Sequence, residues 1–199
     1  MGVGTKTIGV PKRPGTVTGR RALPRRGSRP GFAPTGSSVG LVQSHLARSA
    51  FSAPMQAVHE GTRWMLRLDD GQDLFETLTG FAQREKVTAA AILFGIGMFR
   101  KATFAYWDGK QYQPHELTVP HEVVALHGSI AQVDGSPSLH LHGAVAGPDH
   151  RLVGGHLLRA TVGVLQEMAI ETFPGRTFGR PLVESWGLRM LDLEAGPNP

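Results

Sequence analysis

Residues 136–158 are predicted to form a β-hairpin that carries three histidines. The first half alternates leucines with His140 and His142, and a period of two residues is typical of a β-strand. A Gly-Pro-Asp turn signal follows, and then a second apolar run that contains His156. Side chains two residues apart on a strand point to the same face, so His140 and His142 are predicted to be neighbours.

The length of the turn decides whether His156 joins the other two histidines. A two-residue loop would place Leu141 opposite His156 and turn His156 to the other face. A three-residue loop at residues 148–150 would set His142 opposite His156, and a bulge in the Gly-Gly pair before His156 would have the same effect. Directly opposed residues have Cβ atoms roughly 5 Å apart, which is close enough to share one ion.

A strand face with three imidazoles suits a transition metal such as zinc, nickel or iron. Three protein ligands leave one coordination position open for water or a substrate. We therefore assign His140, His142 and His156 as candidate metal ligands, with zinc as the first choice. The alternative is that they are polar side chains on the solvated face of a hairpin, because histidine pairs on strands are common.

Several segments between about residue 62 and residue 170 share a pattern with one known family. They are Arg-Leu-Asp-Asp-Gly-Gln-Asp-Leu at 67–74, Leu-Phe-Gly-Ile-Gly-Met at 93–98, Glu-Val-Val-Ala-Leu-His-Gly-Ser-Ile at 122–130, His-Leu-His at 140–142, Arg-Leu-Val-Gly-Gly-His-Leu-Leu at 151–158 and Thr-Val-Gly-Val at 161–164. Together they resemble the "plant and prokaryote conserved" (PPC) domain family. The histidines match its prokaryotic members, since plant members usually lack them. His127 departs from the pattern, because a small residue is expected there.

The resemblance implies a PPC-type fold, similar to that of acetolactate decarboxylase and of a zinc ester hydrolase, enzymes that hold a metal through histidines. It also implies a homotrimer, and prokaryotic members usually carry a DNA-binding label. Two functions follow: a regulatory or DNA-associated protein with a structural metal, or a zinc-dependent small-molecule hydrolase or lyase. In the enzyme, Glu167 is the candidate acid/base and Arg67 the candidate contact for an anionic substrate. A position on a solvated strand face is the alternative for both residues.

Periodicity elsewhere predicts one helix among many strands. Alternating side chains predict a first strand at 62–68, and apolar residues at helical spacing predict a helix at 74–86 with Asp70 as its cap. Outside the histidine hairpin, further strands are predicted at 89–94, 100–107, 111–119, 123–133, 161–172 and 187–193, with a loop at 174–181. The pattern indicates an α+β fold, a largely antiparallel or mixed β-sheet with one main helix packed on it.

Charge and composition divide the chain into a leader, residues 1–56, and a domain, residues 57–195. Residues 1–54 hold nine Lys or Arg and no Asp or Glu. The rest of the chain holds twelve basic and sixteen acidic residues, a net charge of −4. The leader is rich in Pro, Gly, Ser and Arg and poor in large apolar residues, so we expect it to be disordered.

Four interpretations of the leader compete. Residues 25–31, Arg-Arg-Gly-Ser-Arg-Pro-Gly, resemble an AT-hook, although a serine interrupts its Arg-Gly-Arg-Pro core. In that case Arg25, Arg26 and Arg29 would enter a narrow DNA minor groove. The acid-free composition also fits an organelle transit peptide. A twin-arginine export signal fits less well, because no apolar segment follows, and translation from Met55 would make the leader an over-extended reading frame.

The absence of cysteine and of long apolar runs limits the possible compartment and the kinds of site that the chain can form. Without cysteine, disulfides and thiolate metal sites are excluded and a reducing compartment is permitted, so we assign the protein to the cytoplasm. The longest apolar run, residues 89–99, holds eleven residues, whereas a membrane span needs about 20. We therefore expect no association with a membrane. The sequence contains no Gly-x-Ser-x-Gly motif, and so a serine triad is unsupported.

Overall fold

A computed structural model of the protein describes residues 55–196. This part of the chain forms β1 (Gln56–Glu60), β2 (Arg63–Asp69), α1 (Leu74–Arg84), β3 (Ala90–Trp107), β4 (Tyr112–Leu117), β5 (His121–Val133), β6 (Ser136–Ala146), β7 (Leu152–Thr172), β8 (Leu182–Val183) and β9 (Leu188–Arg189). Seven strands form one antiparallel sheet in the order β1-β2-β7-β6-β5-β3-β4, and β8 pairs with β9. The predicted α+β class, with one helix and a largely antiparallel sheet, is confirmed. Within residues 55–196, no helix has the length and apolar character needed to cross a membrane.

The two longest strands, β3 and β7, connect the rest of the sheet. β7 pairs with β2, β6 and β3, and β3 pairs with β4, β5 and β7. Because β5 also pairs with β6, strands β3, β5, β6 and β7 close into a ring. Several register shifts between β3 and β7 interrupt the ladder, and such bulges increase the local bend of a strand.

Both long strands continue through points where the sequence predicted a break. The segments predicted at 89–94 and 100–107 are one strand, since the glycines between them bend the chain without ending it. Gly97 has a φ of 145°, and a Cβ there would lie 2.3 Å from the carbonyl oxygen of Leu165. β7 likewise joins the segments predicted at 152–158 and 161–172. β1 was not predicted, and only two residues of the segment predicted at 187–193 form the strand β9.

The cap of α1 differs from the predicted one. Asp73, not Asp70, occupies the N-cap, and its Oδ1 accepts a hydrogen bond from the Glu76 amide at 2.9 Å. An N-cap side chain must reach an amide two or three residues ahead, and Asp70 lies too far before the first turn. Its carboxylate instead accepts a hydrogen bond from the Val164 amide at 3.0 Å and pairs with Arg100.

The helix and the sheet share one apolar core. α1 places Leu74, Leu78 and Phe81 in this core, where it contacts β6 and β7. On β6 and β7, Leu141 and Leu157 are buried in the same core. Because side chains alternate along a strand, the residues directly before and after each of these leucines point to the opposite face of the sheet. That opposite face carries the histidines.

Candidate metal centre

The hairpin register places the three histidines on one face. His142 on β6 is paired with His156 on β7, and His140 lies two residues earlier on β6. A turn with a hydrogen bond from the His150 amide to the Gly147 carbonyl, 2.9 Å long, leads from β6 to β7, and His150 has a φ of 60°. This is the register predicted for a loop at residues 148–150, and it is confirmed.

The ring nitrogens of the three histidines converge. The Nε2 atoms of His140 and His142 lie 3.1 Å apart, and His142 Nε2 lies 3.4 Å from His156 Nδ1. One nitrogen from each of the three residues lies within 4.8 Å of the others. Bonds of about 2.0–2.1 Å to a tetrahedral zinc ion separate neighbouring ligand nitrogens by about 3.4 Å. The three side chains therefore fit a zinc-sized ion.

The surroundings keep these imidazoles neutral. Burial, then the positive charge of Arg180, and then the charge that His156 and His142 carry when protonated, lower the pKa of His140 from 6.5 to about 4. Burial is also the main cause that lowers the pKa of His142 and of His156. Neutral imidazole is the form that binds a metal, and the lowered pKa values favour this form near neutral pH.

His127 lies beside this cluster on β5, where it is paired with His142. Its side chain is exposed, and its charge contributes to the lowered pKa of His142 after the effect of burial. Among the described residues, the ring nitrogens that could hold an ion come from the three predicted histidines and not from His127. The structure thus places His127 at the edge of the cluster.

Arg180 contacts the cluster, although no sequence pattern predicted this contact. Its side chain is 5% exposed, its Nη1 lies 3.2 Å from His140 Nδ1, and its Nη2 donates to Ser129 Oγ at 2.6 Å. Arg180 lies between the strands predicted at 161–172 and 187–193, in the segment 174–181 that was predicted to be a loop. Only the tertiary structure brings this segment to the cluster.

Tyr112 contacts the cluster through the ring of His156. Its ring stacks on the ring of His156, with 4.7 Å between the centroids and 19° between the planes. Tyr112 begins β4, which reaches His156 because β3 pairs with both β4 and β7. The strand predicted at 111–119 corresponds to β4, but its position next to His156 was not predicted.

The structure places the predicted enzyme residues away from the histidines. Glu167 lies near the far end of β7, where it is paired with Arg67 on β2 and with Ile96 on β3. Arg67 donates from Nε to Asp69 at 3.1 Å. Both residues line a separate surface cavity of about 230 Å³. Among the residues that the structure describes, the histidine cluster therefore has neither of them as a neighbour, and Arg25, Arg26 and Arg29 lie outside the described residues.

Comparisons with known proteins agree with the fold. Residues 55–174 match the family described as the Plants and Prokaryotes Conserved (PCC) domain. A solved metal-containing protein from Archaeoglobus fulgidus is 33% identical with a TM-score of 0.61, over 65% of this chain and 92% of that one. A solved "putative DNA-binding protein" from Ralstonia eutropha JMP134 is 29% identical with a TM-score of 0.64, over 69% of this chain and 95% of that one.

One curated protein matches a shorter stretch of the chain. Over 92 residues, the sequence is 39% identical to the bifunctional protein GlmU from Synechococcus sp. (strain JA-3-3Ab). The stretch makes up 46% of this chain but 14% of that protein. The chain thus spans a small part of this relative's length, and the likeness concerns one segment of a larger protein.

Proposed function

Since the chain belongs to the Plants and Prokaryotes Conserved domain family, we propose that it is a DNA-associated regulatory protein with a metal site. The site holds one divalent transition metal, zinc, through His140, His142 and His156. The observation that carries the proposal is the convergence of three neutral imidazole nitrogens on one face of the sheet. The likeness to the metal-containing Archaeoglobus fulgidus protein supports the metal, and the name of the Ralstonia eutropha relative supports the association with DNA.

The fold supplies rigid positions for the three ligands. Leu141 and Leu157, which follow the ligands His140 and His156 in sequence, are buried in the core and hold the two strands in register. A zinc ion bound by three histidines keeps one open position, where it lowers the pKa of a bound water or polarises a carbonyl group. Because its ligands come from two strands, the ion would also link β6 to β7. This is the structural role that we propose for the metal.

We propose that contacts with DNA come from residues 1–54 rather than from the domain. This segment carries nine basic residues and no acidic ones, whereas the rest of the chain has a net charge of −4. Arg25, Arg26 and Arg29 are the proposed minor-groove contacts. Basic side chains bind DNA by releasing counterions from its phosphates, and the acidic balance of the domain offers no comparable attraction.

Elemental analysis of the purified full-length protein tests the metal site. After dialysis against metal-free buffer, we expect one equivalent of zinc per subunit. A second sample, stripped with a chelator and titrated with zinc, should regain the same stoichiometry. The absence of any stoichiometric divalent transition metal in both samples would contradict the proposal.

A zinc-dependent small-molecule hydrolase or lyase is the second candidate. The observation that favours it is that the His142 side chain is exposed, so the open position of a bound ion would be reachable from solvent. Among the described residues, Glu167 is paired with Arg67 and Ile96 rather than with the histidines, so its proposed acid/base role would require it to approach the cluster. Hydrolysis of a small activated ester by the zinc-loaded protein, and its loss in His142→Ala, would support the enzyme.

The assembly and the compartment stay predictions. The homotrimer rests on the family resemblance, and the cytoplasmic location rests on the absence of cysteine. We also retain the division into a leader at residues 1–56 and a domain at 57–195. In the structure, strand β1 begins at Gln56, next to this boundary.

A further inference from the structure

The contact between Arg180 and His140 has an unusual polarity for a metal ligand. A guanidinium has only N–H donors and stays protonated in proteins, so the Nδ1 atom of His140, 3.2 Å from Arg180 Nη1, must accept. A neutral imidazole carries one proton, which must therefore sit on Nε2. That is the nitrogen that faces His142 at 3.1 Å.

A histidine that binds a metal needs the opposite arrangement. Its free lone pair faces the ion, and its other nitrogen donates to a carboxylate, a carbonyl group or water. In this protein, the partner at that other nitrogen is a cation without any acceptor atom. His140 is thus placed correctly for a metal, but its proton is held on the nitrogen that would have to bind it.

We propose that Arg180 is a positioning residue that holds the proton of His140 on Nε2 and so weakens the binding of a divalent cation at the cluster. The inference rests on the proposed metal site. For His140 to bind an ion through Nε2, its proton must move to Nδ1, and the guanidinium must withdraw from Nδ1. The positive charge of Arg180 also repels the ion. Release of this contact therefore accompanies metal binding.

The surroundings of Arg180 resist this withdrawal. Its Nη2 is anchored on Ser129 Oγ, and its backbone amide donates to the Gln132 carbonyl at 3.0 Å. Its own carbonyl oxygen accepts from Arg189 at 3.0 Å. Within residues 55–196, its buried Nε has no hydrogen-bond partner, and an unpaired buried donor destabilises a fold.

Zinc affinities of Arg180 variants test the inference. Arg180→Gln keeps a polar side chain of similar reach and supplies an amide oxygen that can accept a proton from Nδ1, whereas Arg180→Met removes the donors. We expect both variants to bind zinc more tightly than the wild type, by about tenfold or more, in competition with a chromophoric chelator. Arg180→Lys retains a donor-only cation and should stay close to the wild type.

Arg159→Gln is the matched control, because it removes the same charge from an exposed arginine on β7 that contacts Thr103 and Glu116. Its zinc affinity should equal that of the wild type. Unchanged or weaker zinc binding in both Arg180→Gln and Arg180→Met would overturn the inference. If Arg180→Met does not fold, the polar variant decides the result.

Nitrogen NMR of metal-free protein labelled with ¹⁵N-histidine tests the same contact without any ion. In the wild type, we expect His140 to have a proton on Nε2 and none on Nδ1, and Arg180→Gln should shift the proton toward Nδ1. A wild-type His140 with its proton on Nδ1 would overturn the inference. The expected spectra together with no zinc binding in any variant would overturn the metal site and the effect on affinity, and would leave the control of the His140 tautomer supported.

Discussion

His142 is the central member of the histidine cluster. Its Nε2 lies 3.1 Å from His140 Nε2 and 3.4 Å from His156 Nδ1. We predict that His142→Ala abolishes stoichiometric zinc, because two imidazoles remain where three converged. Elemental analysis and zinc titration of the folded variant measure the effect.

The control for this variant is His150→Asn, in the turn between β6 and β7. His150 is exposed and has a left-handed φ, which asparagine tolerates, so zinc binding should be unchanged. Full retention of zinc by His142→Ala would remove the basis for the metal site.

The lowered pKa values of the histidines predict how stability depends on pH. Burial and nearby positive charges lower the pKa of His140 from 6.5 to about 4. Between these values the unfolded chain binds more protons than the folded one, so the free energy of unfolding rises with pH through this window. Above the upper value the contribution is fully present, and it is lost as the pH falls toward the lower one.

Thermal unfolding of the metal-free protein across this range measures the dependence. His140→Gln cannot titrate there, so we expect a smaller slope in that variant. Because the pKa values of His140, His142 and His156 are all lowered, we also expect bound zinc to persist below pH 6.5. Equal slopes for the wild type and His140→Gln would contradict the assignment to His140.

The pairing of β5 with β6 depends on a close backbone approach at the site. A Cβ at Gly128 would lie 2.0 Å from the carbonyl oxygen of His140, so an alanine there must push the two strands apart. We predict that Gly128→Ala lowers the free energy of unfolding by about 1–3 kcal/mol or more, the usual cost of overpacking. Urea denaturation measures it, and zinc affinity should fall as well.

Gly80→Ala on α1 is the matched control. Apart from its chain neighbours and the backbone of α1, no described atom lies within 4 Å of a Cβ at this position, and alanine favours a helix over glycine by about 1 kcal/mol. This variant should therefore be more stable than the wild type. A Gly128→Ala variant as stable as the wild type would show that the strands tolerate a wider spacing at His140.

The predicted association with DNA depends on residues 1–54 being present together with the domain. We expect the full-length protein to bind duplex DNA with a steep salt dependence, because log affinity falls by about 0.9 per neutralised phosphate for each unit of log salt. A variant that starts at Met55 should lose most of the affinity and most of the salt slope. Fluorescence titration of an A·T-rich duplex measures both, and equal binding by the two proteins would place the DNA contact on the domain.

The predicted homotrimer requires a surface through which the chains contact one another. Leu93, Phe94 and Ile96 lie within four residues of β3 and are about half exposed, at 52%, 45% and 48%, and exposed apolar side chains often mark an interface. Light scattering at micromolar concentration should give three times the mass of the chain. Phe94→Ser should lower that mass, whereas Tyr106→Ser, at another exposed position of β3, should not. A monomer mass for the wild type would reject the homotrimer.

The sequence alone determined the local structure and the composition of the candidate site. Alternation along β6 placed His140 and His142 on one face, and the turn before His156 allowed only a few registers, one of which is correct. Helical spacing likewise predicted α1. These features depend on neighbours within a few residues, because strand parity, turn geometry and helix capping are local.

Only the tertiary structure decided what surrounds the three histidines. Gly97 bends β3 instead of ending it, so that β3 pairs with β7, and this closure brings Tyr112 against His156. Arg180 reaches His140 from a segment with no periodicity, through hydrogen bonds to Gln132 and Ser129. Glu167, which shares a strand with His156, lies away from it. Contacts between segments far apart in sequence depend on how the whole sheet closes, and no local pattern of side chains encodes that closure.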